Sequence, residues 1–232
     1  MSSLKAECGF GSLKELNQEA DQLIKQFSQV KSFDPYFKVK PDSEFRAAHI
    51  SRKKAYVSEL RNRVQTNEPL AQQVASVLMR YQSDPKLRLI AREFLLADFS
   101  LGEEGGFDAP ACTSYGDCSV VLPPKILASL HSRLSASDFK EMLTIIVGHE
   151  IGHYVHDIVL HDKTKLPYRQ MMANVDPARY HLLVDAVGMR LSGATPKDVI
   201  KGLKLSVSGL TETGDIPQRL NCWSLIQSTS LR

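Results

Sequence analysis

The sequence lacks the long apolar runs and the excess of charge that mark membrane proteins and nucleic-acid-binding proteins. No window of the 232 residues approaches the roughly 18 consecutive apolar residues that a membrane-spanning helix needs. Its 29 basic and 26 acidic side chains leave a net charge of only +3, which gives no electrostatic reason to expect nucleic acid as a partner. The start of the chain also has no apolar segment of signal-peptide length. We therefore expect a soluble cytoplasmic protein, with export by a leaderless route as the alternative.

Cysteine is also scarce, and its spacing is not that of a disulfide-rich protein. The four cysteines lack the paired CxxC spacing of metal or redox motifs, and they are too few to staple a chain of this length. We expect buried free thiols at Cys8, Cys112, Cys118 and Cys222, which would fit a reducing cytoplasm. A hairpin disulfide between Cys112 and Cys118 is the alternative.

What the sequence does have is the composition of a folded protein with mainly helical periodicity. Hydrophobic residues make up 43% and charged residues 24%, which excludes a disordered or fibrous chain. Apolar residues recur at helical spacing in several segments, first at residues 12–30, whereas the β-branched run at 119–122 predicts a short strand. A basic cluster at 52–63 is interpreted as a solvated helix face. We predict a mainly α fold of the α+β kind, with a small edge sheet.

The seven histidines are unevenly placed, and five of them fall between residues 149 and 181. Two belong to the segment His149-Glu150-Ile-Gly-His153, which matches the pattern HExxH. A helix is predicted around this segment because Ser135 can cap its start and apolar residues follow at helical spacing. On a helix, His149 and His153 lie one turn apart on one face, so both imidazoles can bind one metal ion.

The neighbouring polar residues of this helix are expected to have different roles. Glu150 is turned by about 100° from the ligand face, where it can take a proton from a water whose pKa a zinc ion lowers to about 7. His156 shares the ligand face, but it lies about 10 Å from His149 along the axis, too far for all three histidines to surround one ion. We expect His156 at the rim of the site and His161 exposed at the helix end.

A second helix is the best source of a third ligand. Asp176-Pro177 is typical of a helix start and Gly193 of a helix end. Between them, His181 and Asp185 are spaced four residues apart on one face. We predict that His181 completes a three-histidine site and that Asp185 accepts the other ring proton of a ligand histidine. Two alternatives remain: His181 lies on the surface, or Asp185 is itself the ligand.

Two glycines indicate where the two helices meet. Gly152 lies inside the HExxH segment, and Gly188 lies three residues after Asp185. Because glycine has no side chain, we predict that the helices approach closely at these positions.

This combination of motifs resembles the gluzincin zinc peptidases, specifically the HtpX and CAAX-prenyl-protease type. In that family HExxH is followed by a second helix with ExxxDxxG, and here the matching run, from His181 to Gly188, is HxxxDxxG. Residues 215–220 are similar to the family's closing proline-and-arginine motif, and 119–122 falls where the family has an edge strand that pairs with bound peptide. The resemblance covers about residues 110–226. It departs from the family at His181, where the family has glutamate, and in the missing membrane helices.

The resemblance implies a zincin-like fold, in which a helical bundle surrounds the HExxH helix. It also implies a soluble zinc endopeptidase with Zn²⁺ as its cofactor and a protein or peptide as its substrate. Residues 101–232 would form the metallopeptidase core, and residues 1–100 would be a helical N-terminal region of unknown role.

The resemblance also implies roles for single residues. Glu150 would be the general base, and Arg219, by its position in the closing motif, would donate to the oxyanion; a plain salt-bridge role for Arg219 is the alternative. Tyr180 and Tyr168 are further candidates for the oxyanion donor. An extended peptide would pair with the strand at 119–122. Two other classes of function remain: a non-proteolytic zinc amidohydrolase or esterase, and a degenerate metal-binding interaction module.

Overall fold

Helices make up most of the described structure and pack around one long central helix. The computed structural model describes residues 2–32, 61–65, 68–90, 93–96, 112–114, 119–122, 124–166, 168–173, 175–207 and 215–230. The prediction of a mainly α fold is confirmed.

The helices and strands are labelled in chain order. The helices are α1 (Ser2–Cys8), α2 (Leu13–Gln29), α3 (Pro69–Gln82), α4 (Pro85–Ile90), α5 (Pro124–Arg133), α6 (Ala136–Thr164), α7 (Tyr168–Met172), α8 (Pro177–Ser192), α9 (Pro196–Val207) and α10 (Ile216–Ser230). The strands are β1 (Glu93–Leu96), β2 (Cys112–Ser114) and β3 (Ser119–Leu122). Residues 61–65 are also helical.

The central helix α6 begins where the sequence predicts. The hydroxyl oxygen of Ser135 accepts a hydrogen bond from the backbone N–H of Asp138 at 3.1 Å, which satisfies one of the free donors in the first turn. After 29 residues the helix ends before Lys165, whose φ of 57° lies in the left-handed region. Nearly all of its residues from Phe139 to Val159 are buried. A helix that is buried on all sides is a core element, so α6 forms the centre of the molecule.

The second predicted helix, α8, also has the ends that its sequence indicates. A carboxylate oxygen of Asp176 accepts from the backbone N–H of Arg179 at 3.1 Å, and Pro177 occupies the first helical position. Gly193 ends the helix with a φ of 70°, a conformation that glycine adopts without strain.

Helices α6 and α8 are in close contact through glycines. A Cβ atom on Gly152 would lie 2.3 Å from the carbonyl oxygen of Val184, and a Cβ atom on Gly188 would lie 2.4 Å from the carbonyl group of Gly148. The predicted close approach at Gly152 and Gly188 is confirmed. Gly148 is a third contact glycine that the sequence analysis did not identify.

The N-terminal helices belong to the same hydrophobic core as α6 and α8. Helix α2, which confirms the amphipathic pattern at 12–30, packs along α8. Arg179 of α8 is fixed by this contact, because it bonds to Glu19 and to the carbonyl of Gly9 while its guanidinium lies 4.1 Å from the ring centre of Phe10. One hydrophobic core therefore includes buried residues from both sides of residue 100, while the roles of the two regions stay predictions.

A disulfide between Cys8 and Cys222 joins α1 to α10. The prediction of free thiols is therefore wrong at these two positions. Local spacing could not indicate this bond, because the two cysteines are separated by 214 residues and come together only when α1 packs on α10. The alternative Cys112–Cys118 pairing involves Cys118, which lies outside the described residues. Disulfides are typical of oxidising compartments, so the cytoplasmic location stays a prediction that this bond does not support.

The small sheet has the strand order β1-β3-β2. A strand is present at Ser119–Leu122, but it is the central strand, paired in parallel with β1 and antiparallel with β2. The prediction that this segment is a free edge is therefore wrong, since both of its edges are already hydrogen-bonded. The residue pattern of β3 predicts a strand but not its neighbours. Its place in the sheet depends on pairing with β1, which lies far earlier in the chain.

Two further findings bear on the expected partners. In the described part of the chain, no helix is both long and apolar enough to span a membrane. Most of the predicted basic cluster at 52–63 lies outside the described residues.

Candidate metal centre

Three histidines from the two central helices converge on one point. His149 and His153 lie on α6 and His181 on α8, and one ring nitrogen from each lies within 4.8 Å of the others. The Nε2 atoms of His149 and His153 face each other at 2.9 Å. These three residues, the ones that the helical spacing predicted, could together hold a metal ion.

The Nδ1 atom of each of these histidines faces a different polar group. Nδ1 of His149 lies 2.8 Å from an oxygen of Asp185, and Nδ1 of His153 lies 2.6 Å from the hydroxyl of Tyr180. Nδ1 of His181 lies 3.2 Å from an oxygen of Asp215, within ion-pair distance although the two atoms do not align for a hydrogen bond. Engagement of Nδ1 leaves Nε2 as the nitrogen available to an ion in His149 and His153, and such outer partners are typical of metal-binding histidines.

The Asp185 carboxylate is buried beneath His149 and fully engaged. It accepts from Nδ1–H of His149, from two N–H groups of Arg219 and from the indole N–H of Trp223 at 3.0 Å. Burial raises the pKa of this carboxyl, but the positive charge of Arg219 and the contact with His149 outweigh burial and hold the pKa well below its usual value. Because both oxygens are occupied on the Nδ1 side of His149, the geometry favours His181 over Asp185 as the third ligand.

Arg219 is buried and lies behind His149 in the site. Its guanidinium donates to Asp185, reaches an oxygen of Asp215 at 3.5 Å, and places one nitrogen 3.0 Å from Nδ1 of His149. Burial lowers the pKa of Arg219, but the neighbouring carboxylates, Asp185 foremost, raise it by more. The net shift is upward, so the group stays charged. Its contacts lie on the opposite side of the His149 ring from Nε2. The role of oxyanion donor stays a prediction for Arg219.

The other predicted residues take several positions. Glu150 is buried next to His149 on α6, outside the cluster of ring nitrogens. Tyr180 is buried with its hydroxyl on the Nδ1 side of His153, while the side chain of Tyr168 is not among those described. His156 is partly buried and contacts Asp157, and His161 is half-buried rather than fully exposed.

Sequence reasoning missed Trp223 and the role of Asp215. With Arg219 these two residues form a series spaced by four along the start of α10, which places all three on one helix face. That spacing, together with the fact that Trp223 is the only tryptophan in the chain, is the signal that could have identified them.

Burial keeps the three histidines uncharged. It lowers the pKa of His149 to about 4, with the charge of Arg219 as the next cause, and it lowers the pKa of His153 well below the ordinary value. Burial also lowers the pKa of His181, against the opposing effect of Asp215. All three are therefore neutral at pH 7, the state in which an imidazole can bind a metal.

The stability of the metal-free protein should fall as the pH is lowered below about 6.5. Because folding lowers the histidine pKa values, the unfolded chain binds more protons in this range, and each such proton destabilises the folded state by about 1.4 kcal/mol per pH unit. Urea unfolding of metal-free protein between pH 7.5 and 5 measures this slope. His149→Gln should reduce the slope by about one proton; an unchanged slope in the variant would contradict the assignment.

A pocket of about 90 Å³ opens beside His181, between α8 and α10. Asp215, Arg219 and Cys222 line it, so the disulfide reaches the same cavity as the third histidine.

Comparison of the chain with protein-family models, with curated proteins and with solved structures finds no match.

Proposed function

We propose that the protein is a zinc-dependent endopeptidase of the gluzincin type. The observation that carries the proposal is the set of three neutral histidines, each with Nδ1 against its own acidic or phenolic partner, and with Glu150 next to the first. Packing alone does not require that one ring nitrogen of each histidine converge on one point while Nδ1 of each ring faces a separate polar group. The resemblance of HExxH and HxxxDxxG to the gluzincin motifs supports the same conclusion.

The donor set fits zinc. Three imidazole ligands leave one position of a tetrahedral site open, as in other hydrolytic zinc sites. Burial of His149 and His153 keeps both rings neutral, and the outer contacts hold the rings in place. When bound, the zinc ion would activate a water molecule and polarise the carbonyl group of the substrate.

Glu150 is the proposed general base. It follows His149 in the helix, so its side chain starts about 100° around the axis from the ligand face. Its carboxylate would take a proton from the attacking water and pass it to the leaving amine, a transfer that needs a base within hydrogen-bond reach of both. Burial of Glu150 excludes bulk water from this transfer.

Asp185 and Arg219 are proposed to position His149. The carboxylate of Asp185 accepts the Nδ1 proton and so keeps Nε2 free, while Arg219 and Trp223 hold the carboxylate in place. This gives Arg219 a positioning role instead of the predicted role as donor to the oxyanion.

Strand β2 is the proposed site of contact with an extended peptide substrate. It is an edge strand of the described sheet and packs against α6, the helix with the HExxH motif. An extended peptide can add to a free strand edge through backbone hydrogen bonds. The central strand β3 cannot serve in this way, because both of its edges are paired.

Metal content and peptide cleavage test the proposal together. The purified protein should contain about one zinc ion per chain, and it should cleave a library of extended peptides in a reaction that a chelator stops and added zinc restores. His149→Gln should lose both the metal and the cleavage. His161→Gln, on the same helix but outside the cluster, should keep both.

Two results would contradict the proposal. A protein that binds no zinc would be an interaction module with a degenerate site. A protein that binds zinc but cleaves no peptide would not be an endopeptidase, and a screen of small amides and esters would then test the alternative hydrolase.

A further inference from the structure

His153 is held on its Nδ1 side by a phenol and a carboxylate arranged in series. Nδ1 of His153 lies 2.6 Å from the hydroxyl of Tyr180, and that hydroxyl lies 3.0 and 3.2 Å from the two oxygens of Asp157. All three side chains are buried, and Asp157 has no exposed surface at all. Burying a carboxylate costs free energy unless hydrogen-bond donors satisfy it. The Tyr180 hydroxyl is one such donor for Asp157.

With Asp157 ionised, the number of protons fixes the direction of the two hydrogen bonds. A phenol has one proton, and an ionised carboxylate can only accept. The Tyr180 hydroxyl therefore donates to Asp157, and its oxygen accepts from Nδ1–H of His153. Nε2 of His153 is left without a proton, and it is this atom that faces Nε2 of His149.

Asp157 has a second polar neighbour in His156. Burial raises the pKa of the Asp157 carboxyl, and the contacts with His156 and Tyr180 act against that rise. Nδ1 of His156 lies 2.8 Å from the carboxylate oxygen that also accepts from Tyr180. Asp157 lies one turn after His153 on α6, while Tyr180 comes from α8, so the series forms only when the two helices pack together. Tyr180 also directly precedes His181, so the same contact between helices brings the third histidine to the site.

We propose that Tyr180 and Asp157 are a positioning pair for His153, which fixes the tautomer and orientation of the ring so that Nε2 is presented to the metal ion. The pair does for His153 what Asp185 does for His149, with a phenol inserted between the carboxylate and the imidazole. The inference rests on the metal site of the proposed function. It gives Tyr180 a positioning role instead of the predicted one as donor to the oxyanion.

Zinc affinity of Tyr180→Phe tests the pair. The variant keeps the ring but cannot accept from Nδ1–H, so the Kd for zinc, measured by competition with a chromophoric chelator, should rise about 10-fold to 100-fold. The absorption spectrum of the cobalt-substituted protein should change as well, because the orientation of one ligand is released. Asp157→Asn should give a smaller loss, since its amide oxygen still accepts from Tyr180 but without a charge.

Tyr81→Phe is the matched control. The Tyr81 hydroxyl is also buried and donates at 2.8 Å to a backbone carbonyl, that of Thr144, at the contact between α3 and α6. This variant should lose stability but keep the zinc Kd and the cobalt spectrum of the wild type. Equal zinc affinities for Tyr180→Phe and Tyr81→Phe would overturn the proposal.

The tautomer of His153 in the metal-free protein provides a test that does not need the metal. Nitrogen NMR of the wild type should show the proton on Nδ1, and Tyr180→Phe should shift the population towards Nε2–H. A wild type that binds no zinc would contradict the proposed function, while this measurement would still test the pair. A proton on Nε2 of His153 in the wild type would overturn it.

Discussion

Glu150→Gln is expected to lower the rate of peptide hydrolysis by between about 100-fold and 10,000-fold, the range that a general base contributes. The amide has nearly the same shape as the carboxylate but cannot take a proton from the attacking water. His149, His153 and His181 are unchanged, so the zinc content should stay at the level of the wild type. The measurement is kcat/KM on a cleaved peptide, with the bound metal counted in the same samples.

Glu141→Gln is the matched control for this substitution. Glu141 lies on the same helix and forms a surface ion pair with Lys201, away from the three histidines. Removing the charge of Glu141 should leave the fold intact, because exposed ion pairs contribute little to stability. We therefore expect kcat/KM and zinc content to stay unchanged. Full hydrolysis by Glu150→Gln would rule out Glu150 as the base. Loss of zinc from that variant would instead show a ligand or structural role.

Gly152→Ala should destabilise the protein by more than about 4 kcal/mol, which is at the extreme for a single substitution. In an open helix, alanine would be more stable than glycine by about 1 kcal/mol, so the expected sign is opposite to helix propensity. The cause is steric, since the new Cβ would lie 2.3 Å from the carbonyl oxygen of Val184 on α8, and backbone atoms cannot move aside as a side-chain end can. Moving α8 away from α6 would also separate His181 from His149, so zinc affinity should fall.

Gly193→Ala provides the contrast. A Cβ at Gly193 would meet nothing within 4 Å, but φ is +70°, so the cost should be only the 1–2 kcal/mol or so of a left-handed alanine. Urea unfolding of both variants and zinc competition measure the difference. Should Gly152→Ala be as stable as the wild type, the close contact of α6 and α8 would be wrong.

Two of the three candidate ligands could be predicted because their geometry is local. A spacing of four residues on a helix places His149 and His153 on one face whatever surrounds them. The starts of α6 and α8 could be predicted for the same reason, since Ser135 and Asp176 cap through hydrogen bonds to residues three positions away.

The hydrogen-bond partners of the three histidines could not be predicted from local spacing. Asp185 was predicted to accept the ring proton of a candidate ligand histidine, but only the packing of the two helices decides that this histidine is His149. The Tyr180–Asp157 pair joins two helices, and Arg219 reaches the site from a third. Such contacts depend on how the helices pack, and one sequence without its fold does not specify which side chains meet.

The sequence by itself thus determined the mainly helical class, the HExxH helix with His149 and His153 on one face, and the glycines at the contact between α6 and α8. Each of these follows from helical periodicity or from the absence of a side chain, which are properties of short segments. Tertiary structure alone decided that β3 is the central strand, that Cys8 pairs with Cys222, and that Arg219 lies behind His149. These features need residues far apart in the chain to meet, and the burial of one shared core brings them together.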